Sequence, residues 1–206
     1  MGNQAVSEEY NGASWTTGNA MNTARESLGG LGTQTAGLSF GGYTTTTVDE
    51  VEEYNGTSWT DVSGNLGTAR YGSNGSGTQT AGLSVGGYVS APLSSCEEYN
   101  GSTWSAGGAL GTAKQMTSVL GTLTDTVSCG GATDSGATVV SAVDSYNGTA
   151  WSTGHASLST ARSQAGGAGT TSLGVVFGGY TDGSYTRSTS TEELAQSVTA
   201  RTVTDS

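Results

Sequence analysis

The chain has 206 residues, 35 of them glycine and one proline, with 11% charged and 33% apolar side chains. A formal charge of −11 and the lack of a basic patch argue against nucleic acid or an anionic membrane surface as partners. No stretch approaches the roughly 20 apolar residues of a membrane helix, so membrane insertion is not expected. The opening MGNQAVSEEY lacks the apolar core of a signal peptide, and its Met-Gly start has the serine one residue out of register for myristoylation.

In chain order the first segments are AVSEEY and SWTTG, joined through Asn11-Gly12. The phrase then returns as EEYNGTSW at 52–59, EEYNGSTW at 97–104 and DSYNGTAW at 144–151. Its four tryptophans, Trp15, Trp59, Trp104 and Trp151, use up that residue in the chain and are spaced 44, 45 and 47 apart. Between the copies run a basic residue after alanine (Arg25, Arg70, Lys114, Arg162) and a Gly-Gly pair (41–42, 86–87, 130–131, 178–179). Each period divides into four short β-like segments at turn residues, and Asn-Gly predicts a tight hairpin turn. No apolar 3.6-residue period persists; ASLSTARSQAGG comes nearest, and its glycines end it.

Four strands per period of about 45 residues, repeated, predict an all-β fold, a β-propeller of four-stranded antiparallel blades. Gly-Gly closing a second strand, Glu-x-Tyr in a third and Trp in a fourth resemble the kelch repeat over nearly the whole chain. The departure is Asn-Gly, where that family usually has Asp-Pro. In this Ser/Thr/Gly-rich form the repeats look like kelch-type repeats of marine bacteriophage and environmental viral proteins, often tail or fibre components. That resemblance implies a virion or extracellular surface location.

With the strands named a to d from axis to rim, the chain starts at c and d and ends with a and b of a last blade. Residues 1–190 form the expected propeller domain, and 191–206 a C-terminal strand or tail. The favoured closure has the N-terminal c–d pair completing the last blade, giving four blades and no free edges. TEEL at 191–194 matches EEY in register, with Leu194 for tyrosine. If the tail takes the c position instead, five blades, a strand-sharing oligomer or a longer protein follow.

The repeated residues read as structure. Tyrosine and tryptophan are expected to pack between blades. Alternation along a strand sends one glutamate of each pair to solvent and the other to the recurrent arginine. Cys96 and Cys129 stand where sister repeats have aliphatic or aromatic residues, so they read as small buried hydrophobes, with a disulfide as the alternative. Carboxylate pairs in every repeat do not suit a glycosidase, which needs one pair. His155, the single histidine, lacks a second imidazole for a metal site. No enzyme activity, cofactor or metal is expected.

Function is sought where the repeats disagree. The a–b and c–d turns are nearly constant, whereas the b–c connections differ in every blade: TTTTVDE, VSAPLSS, ATDSGATVVSA and TDGSYTRSTS. That face is the expected ligand-binding surface for a glycan or protein, with Asp182, Tyr185 and Arg187 in the last loop and His155 in a d–a connection as candidate contacts. The alternative is a structural scaffold without a ligand.

Overall fold

The computed structural model describes residues 3–153 and 155–195. A first hairpin, β1 (Glu8–Tyr10) and β2 (Trp15–Thr17), forms a sheet of its own. Blade I follows with β3 (Gly29–Thr33), β4 (Ala36–Phe40), β5 (Val51–Tyr54) and β6 (Trp59–Asp61). Blade II has β7 (Asn74–Thr78), β8 (Ala81–Val85), β9 (Cys96–Tyr99) and β10 (Trp104–Ala106). Blade III has β11 (Ser118–Thr122), β12 (Asp125–Cys129), β13 (Val143–Tyr146) and β14 (Trp151–Ser152). Blade IV has β15 (Gly166–Gly169), β16 (Leu173–Phe177) and β17 (Thr191–Ala195). Every pairing is antiparallel, and the inner strands β3, β7, β11 and β15 surround a shared depression at each end. The fold is a four-bladed β-propeller. No helix among the described residues is long and apolar enough to cross a membrane.

The expected hairpin turn between the third and fourth strands is a four-residue loop. Tyr54 pairs directly with Trp59, and their rings lie 5.0 Å apart. The Asn55 side-chain oxygen accepts the Thr57 and Ser58 amides at 2.9 Å, while Gly56 takes φ +86°. The asparagine therefore builds the turn through its side chain, and only the glycine adopts the left-handed backbone.

The Gly-Gly pairs are docking points between blades. The Gly42 amide donates to the Arg70 carbonyl of the next blade at 2.8 Å, and a Cβ at Gly41 would come within 2.5 Å of that oxygen. Gly87 with Lys114 and Gly131 with Arg162 repeat the contact at 2.9 and 2.8 Å. An apolar cluster fills each of these interfaces. Phe40, Val51, Leu66 and Tyr99 lie between blades I and II. Val85, Cys96, Leu110 and Tyr146 lie between II and III, and Leu120, Cys129, Leu158 and Val176 between III and IV.

Both glutamates of the repeated phrase are used, which corrects the expectation that one of them meets solvent. The first pairs with the basic residue of its own blade: Arg25–Glu52 at 2.9 Å, Arg70–Glu97 at 2.5 Å, Lys114–Asp144 at 2.6 Å and Arg162–Glu192 at 2.6 Å. The second accepts the tyrosine hydroxyl of the following unit, in Tyr54–Glu9, Tyr99–Glu53 and Tyr146–Glu98.

Closure is also corrected. β17 from the chain's C-terminal segment, not β1, lies beside β16, with Gly174 opposite Leu194 and Phe177 opposite Thr191. Residues 191–195 are therefore a propeller strand, while 196–206 lie outside the described residues. The β1–β2 hairpin instead stands against blade I as a c–d pair would, with the Trp59 indole donating to Ser7 at 3.0 Å. Among the described residues one face at each end of the array stays open: Trp15 is 65% exposed, Phe177 is 46% exposed, and a Cβ at Gly178 would meet none of them within 4 Å.

Cys96 and Cys129 are buried free thiols in different interface clusters. Burial pushes the Cys129 thiol up to about 12 and raises Cys96 as well. Neither is expected to label with iodoacetamide at pH 8 in the folded protein, and both should label in guanidinium, since the thiolate is the nucleophile. Labelling of either at the unfolded rate in native buffer contradicts this burial.

Candidate binding face

The inner strands begin on the face where the b–c connections leave the sheets. Around that mouth, Ser27, Gly72, Met116 and Gln164 all take left-handed backbone, at φ 52°, 62°, 54° and 53°. Successive amides link them: Gly72 to the Ser27 carbonyl at 2.8 Å, Met116 to Gly72 at 2.7 Å and Gln164 to Met116 at 2.9 Å. These four residues, with Leu28, Asn74 and others, line a depression of 220 Å³. Three of them are not glycine and hold a backbone that L-residues disfavour, and such strain clusters at functional sites.

The loops divide into a low and a high side. In blades I and II the chain folds back within a few residues, Tyr43 bridging to Thr47 and Tyr88 to Pro92. In blades III and IV the bridges are Ala132 to Val139 and Tyr180 to Arg187, enclosing longer excursions. One aspartate organises each. The Asp134 carboxylate accepts the Gly136 and Thr138 amides, and Asp182 accepts Ser184 and Thr186, all at 2.9–3.0 Å. Hydrogen bonds from the Thr138 backbone and side chain hold Asp134 down at about 2, and bonds from Thr186 lower Asp182 in the same way. The two long loops touch, a Cβ at Gly183 reaching within 2.6 Å of Ala137.

Aromatic rings stand on both sides. Tyr43, Tyr71 and Tyr88 form a chain, with centroids 5.8 and 5.4 Å apart. In blade IV Tyr185 lies edge-on to Tyr180 at 5.2 Å, has φ +61° and is 59% exposed.

Of the residues singled out from sequence, Tyr185, Arg187 and Asp182 lie together in the 181–190 loop, where Tyr185 and Arg187 present exposed side chains and Asp182 holds the turn. His155 is apart from them, at the rim of blade III, with its Nε2 2.7 Å from the Ser145 hydroxyl. Sequence reasoning missed Tyr43, Tyr71 and Tyr88. The signal was present: a tyrosine follows Gly-Gly in three of the four repeats and alanine in the fourth. Tyr71 has no such repeat signal and is seen only once blades I and II are brought together.

The class defined by these sheets is the four-bladed β-propeller, here with a strained central mouth on its variable face. A scan against protein-family models finds no match, and a search of curated proteins likewise finds none.

Proposed function

We propose that the protein is a non-enzymatic recognition module that binds a glycan or a protein segment on the face of the b–c loops. The observation that carries this is the presence, on the face where the mouth's backbone is strained, of the Tyr43–Tyr71–Tyr88 chain and of the exposed Tyr185. Aromatic faces beside polar groups suit sugar rings and peptide side chains alike. The kelch-type reading rests on the repeated Gly-Gly, Glu-x-Tyr and Trp phrase. The placement on a virion, as a tail or fibre component, or on an extracellular surface rests on the Ser/Thr/Gly-rich flavour of those repeats. The charge of −11 argues for neutral or cationic ligands over polyanions.

A glycan array and a peptide library test the proposal. Tyr185→Ala and Arg187→Ala are expected to weaken a hit by about tenfold or more, as loss of an anchor does, with an unchanged melting temperature. Exchange of residues 181–190 for VSAPLSS should change which ligand is bound. Absence of any ligand from a folded protein would sink the proposal and favour a purely structural scaffold.

A further inference from the structure

Three joints between successive units carry one side-chain signature. The tyrosine of the later unit donates to the second glutamate of the earlier one: Tyr54 to Glu9, Tyr99 to Glu53 and Tyr146 to Glu98. Each of these tyrosines lies beside the tryptophan of its own blade, with ring centroids 5.0, 5.0 and 5.1 Å apart. In blade II this aromatic pair covers the end of blade I's second strand: Tyr99 belongs to the cluster that holds Phe40, and Trp104 lies 5.2 Å from the Phe40 ring.

The array leaves two halves of this joint unmatched. On the first hairpin Tyr10 and Trp15 form the same pair, 5.2 Å apart, yet they are 46% and 65% exposed. On blade IV Phe177 occupies the register position of Phe40 and is half-exposed. Glu193 lies opposite Val175, as Glu53 lies opposite Leu38 and Glu98 opposite Leu83. Glu53 and Glu98 are half-buried under a tyrosine, whereas Glu193 is exposed and accepts no hydrogen bond among the described residues. A depression of 250 Å³ is lined by Leu173, Val175 and Glu193 with their neighbours, larger than the ~150 Å³ that holds a benzene ring. Within one molecule the two halves do not cover each other, since both stay exposed.

We propose that the halves meet between molecules: the Tyr10–Trp15 pair of one copy seats on the Phe177–Glu193 face of a second copy of this chain. The Tyr10 hydroxyl donates to Glu193 and the Trp15 ring lies against Phe177, as Tyr99 and Trp104 do on Glu53 and Phe40. The partner is a second copy because the three internal joints show which groups cover such a face, and this chain carries those groups unused at its other end. Two different patches meet, so the contact is heterologous and leaves one free half at each end of an assembly, on which further copies add. The hairpin lacks the inner strands and the basic residue whose carbonyl docks the Gly-Gly pair at the internal joints. The joint is therefore weaker than those, and at the dilution of unfolding experiments the copies are separate. The contact is independent of the loop-face reading and stands or falls without it.

Sedimentation velocity of the full chain from about 1 μM to about 1 mM tests it. The protein is expected to be monomeric at the low end and to form larger species at the high end. Added salt is expected to strengthen the association, because it screens the repulsion between two chains that each carry a charge of −11. Tyr10→Ala/Trp15→Ala removes one half of the joint and Phe177→Ser the other. Each variant alone is expected to stay monomeric, and their equimolar mixture to stop at the dimer. Glu193→Ala, at an exposed position, leaves the fold intact and is expected to weaken association by about tenfold. The proposal is overturned if the unaltered chain stays monomeric across this range, if salt disperses the assembly, if either half-removed variant associates alone, if their mixture does not dimerise, or if Glu193→Ala associates undiminished.

Discussion

Arg70→Ala is expected to cost about 3–5 kcal/mol of stability, the range found when one partner of a buried ion pair is removed. Arg70 is fully buried, its guanidinium donating to the Gly86 and Ser95 carbonyls at 2.9 and 2.8 Å and to Glu97 at 2.5 Å. Truncation strips two carbonyls of a donor and leaves the Glu97 carboxylate buried with only the Gly67 and Thr68 amides, at 2.6 and 3.2 Å. Desolvation by burial lowers the Arg70 pKa, while the Glu97 charge works against that lowering. In a chain of this length the loss corresponds to a fall in melting temperature of roughly 6–20 °C. Arg187→Ala, on an exposed loop, is the matched control and should stay within about 0.5 kcal/mol. A double variant that replaces Arg70 and Glu97 with Met and Leu should lose less than Arg70→Ala alone, since no charge is then left unpaired. Chemical denaturation of the three variants checks this. A loss below about 1 kcal/mol for Arg70→Ala would remove the pair from the stability argument.

Phe40→Ala is expected to cost about 3–5 kcal/mol, and Phe177→Ala less than half of that. The two residues occupy one register position, Phe40 opposite Gly29 and Phe177 opposite Gly166. Phe40 is fully buried: its ring lies against blade II, where a Cβ at Gly75 would come within 2.7 Å, and 5.2 Å from the Trp104 ring. Phe177 makes the intrablade half of these contacts, and its other face is open. The difference in cost therefore measures one interblade interface. Equal costs in unfolding experiments would mean that the outer face of blade IV is covered in solution, contrary to the open face described above.

Much of the propeller was legible because its causes are local and repeated. Gly-Gly, the basic residue and the first acidic residue recur at fixed intervals: the ion pair forms in all four blades, and Gly-Gly docks each of the first three blades on the next. The second glutamate was misread because its partner, the tyrosine of the next blade, is more than 40 residues away: Tyr99 donates to Glu53 at 2.8 Å. Pattern alternation assigns a side of the strand but not what faces it. Lys114 was likewise read as equivalent to the three arginines. Only the structure reveals that Lys114, bonded to Asp144 at 2.6 Å, makes among the described residues none of the carbonyl bonds that the three arginines make.

The sequence by itself determined the all-β class, the number of repeats, the strand order within a blade and the residues that pair inside it. Tertiary structure decided which segment completes blade IV. EEY at 8–10 and EEL at 192–194 carry the same local information, and both present a glutamate in the register that Arg162 requires. What separates them is distance along the chain. β17 lies on a short connection from β16, whereas β1 must return from the far end of the chain, a closure costing about 2 kcal/mol more in chain entropy. The nearer segment holds the position, at the expense of leaving Tyr10 and Trp15 exposed where their sister residues pack between blades.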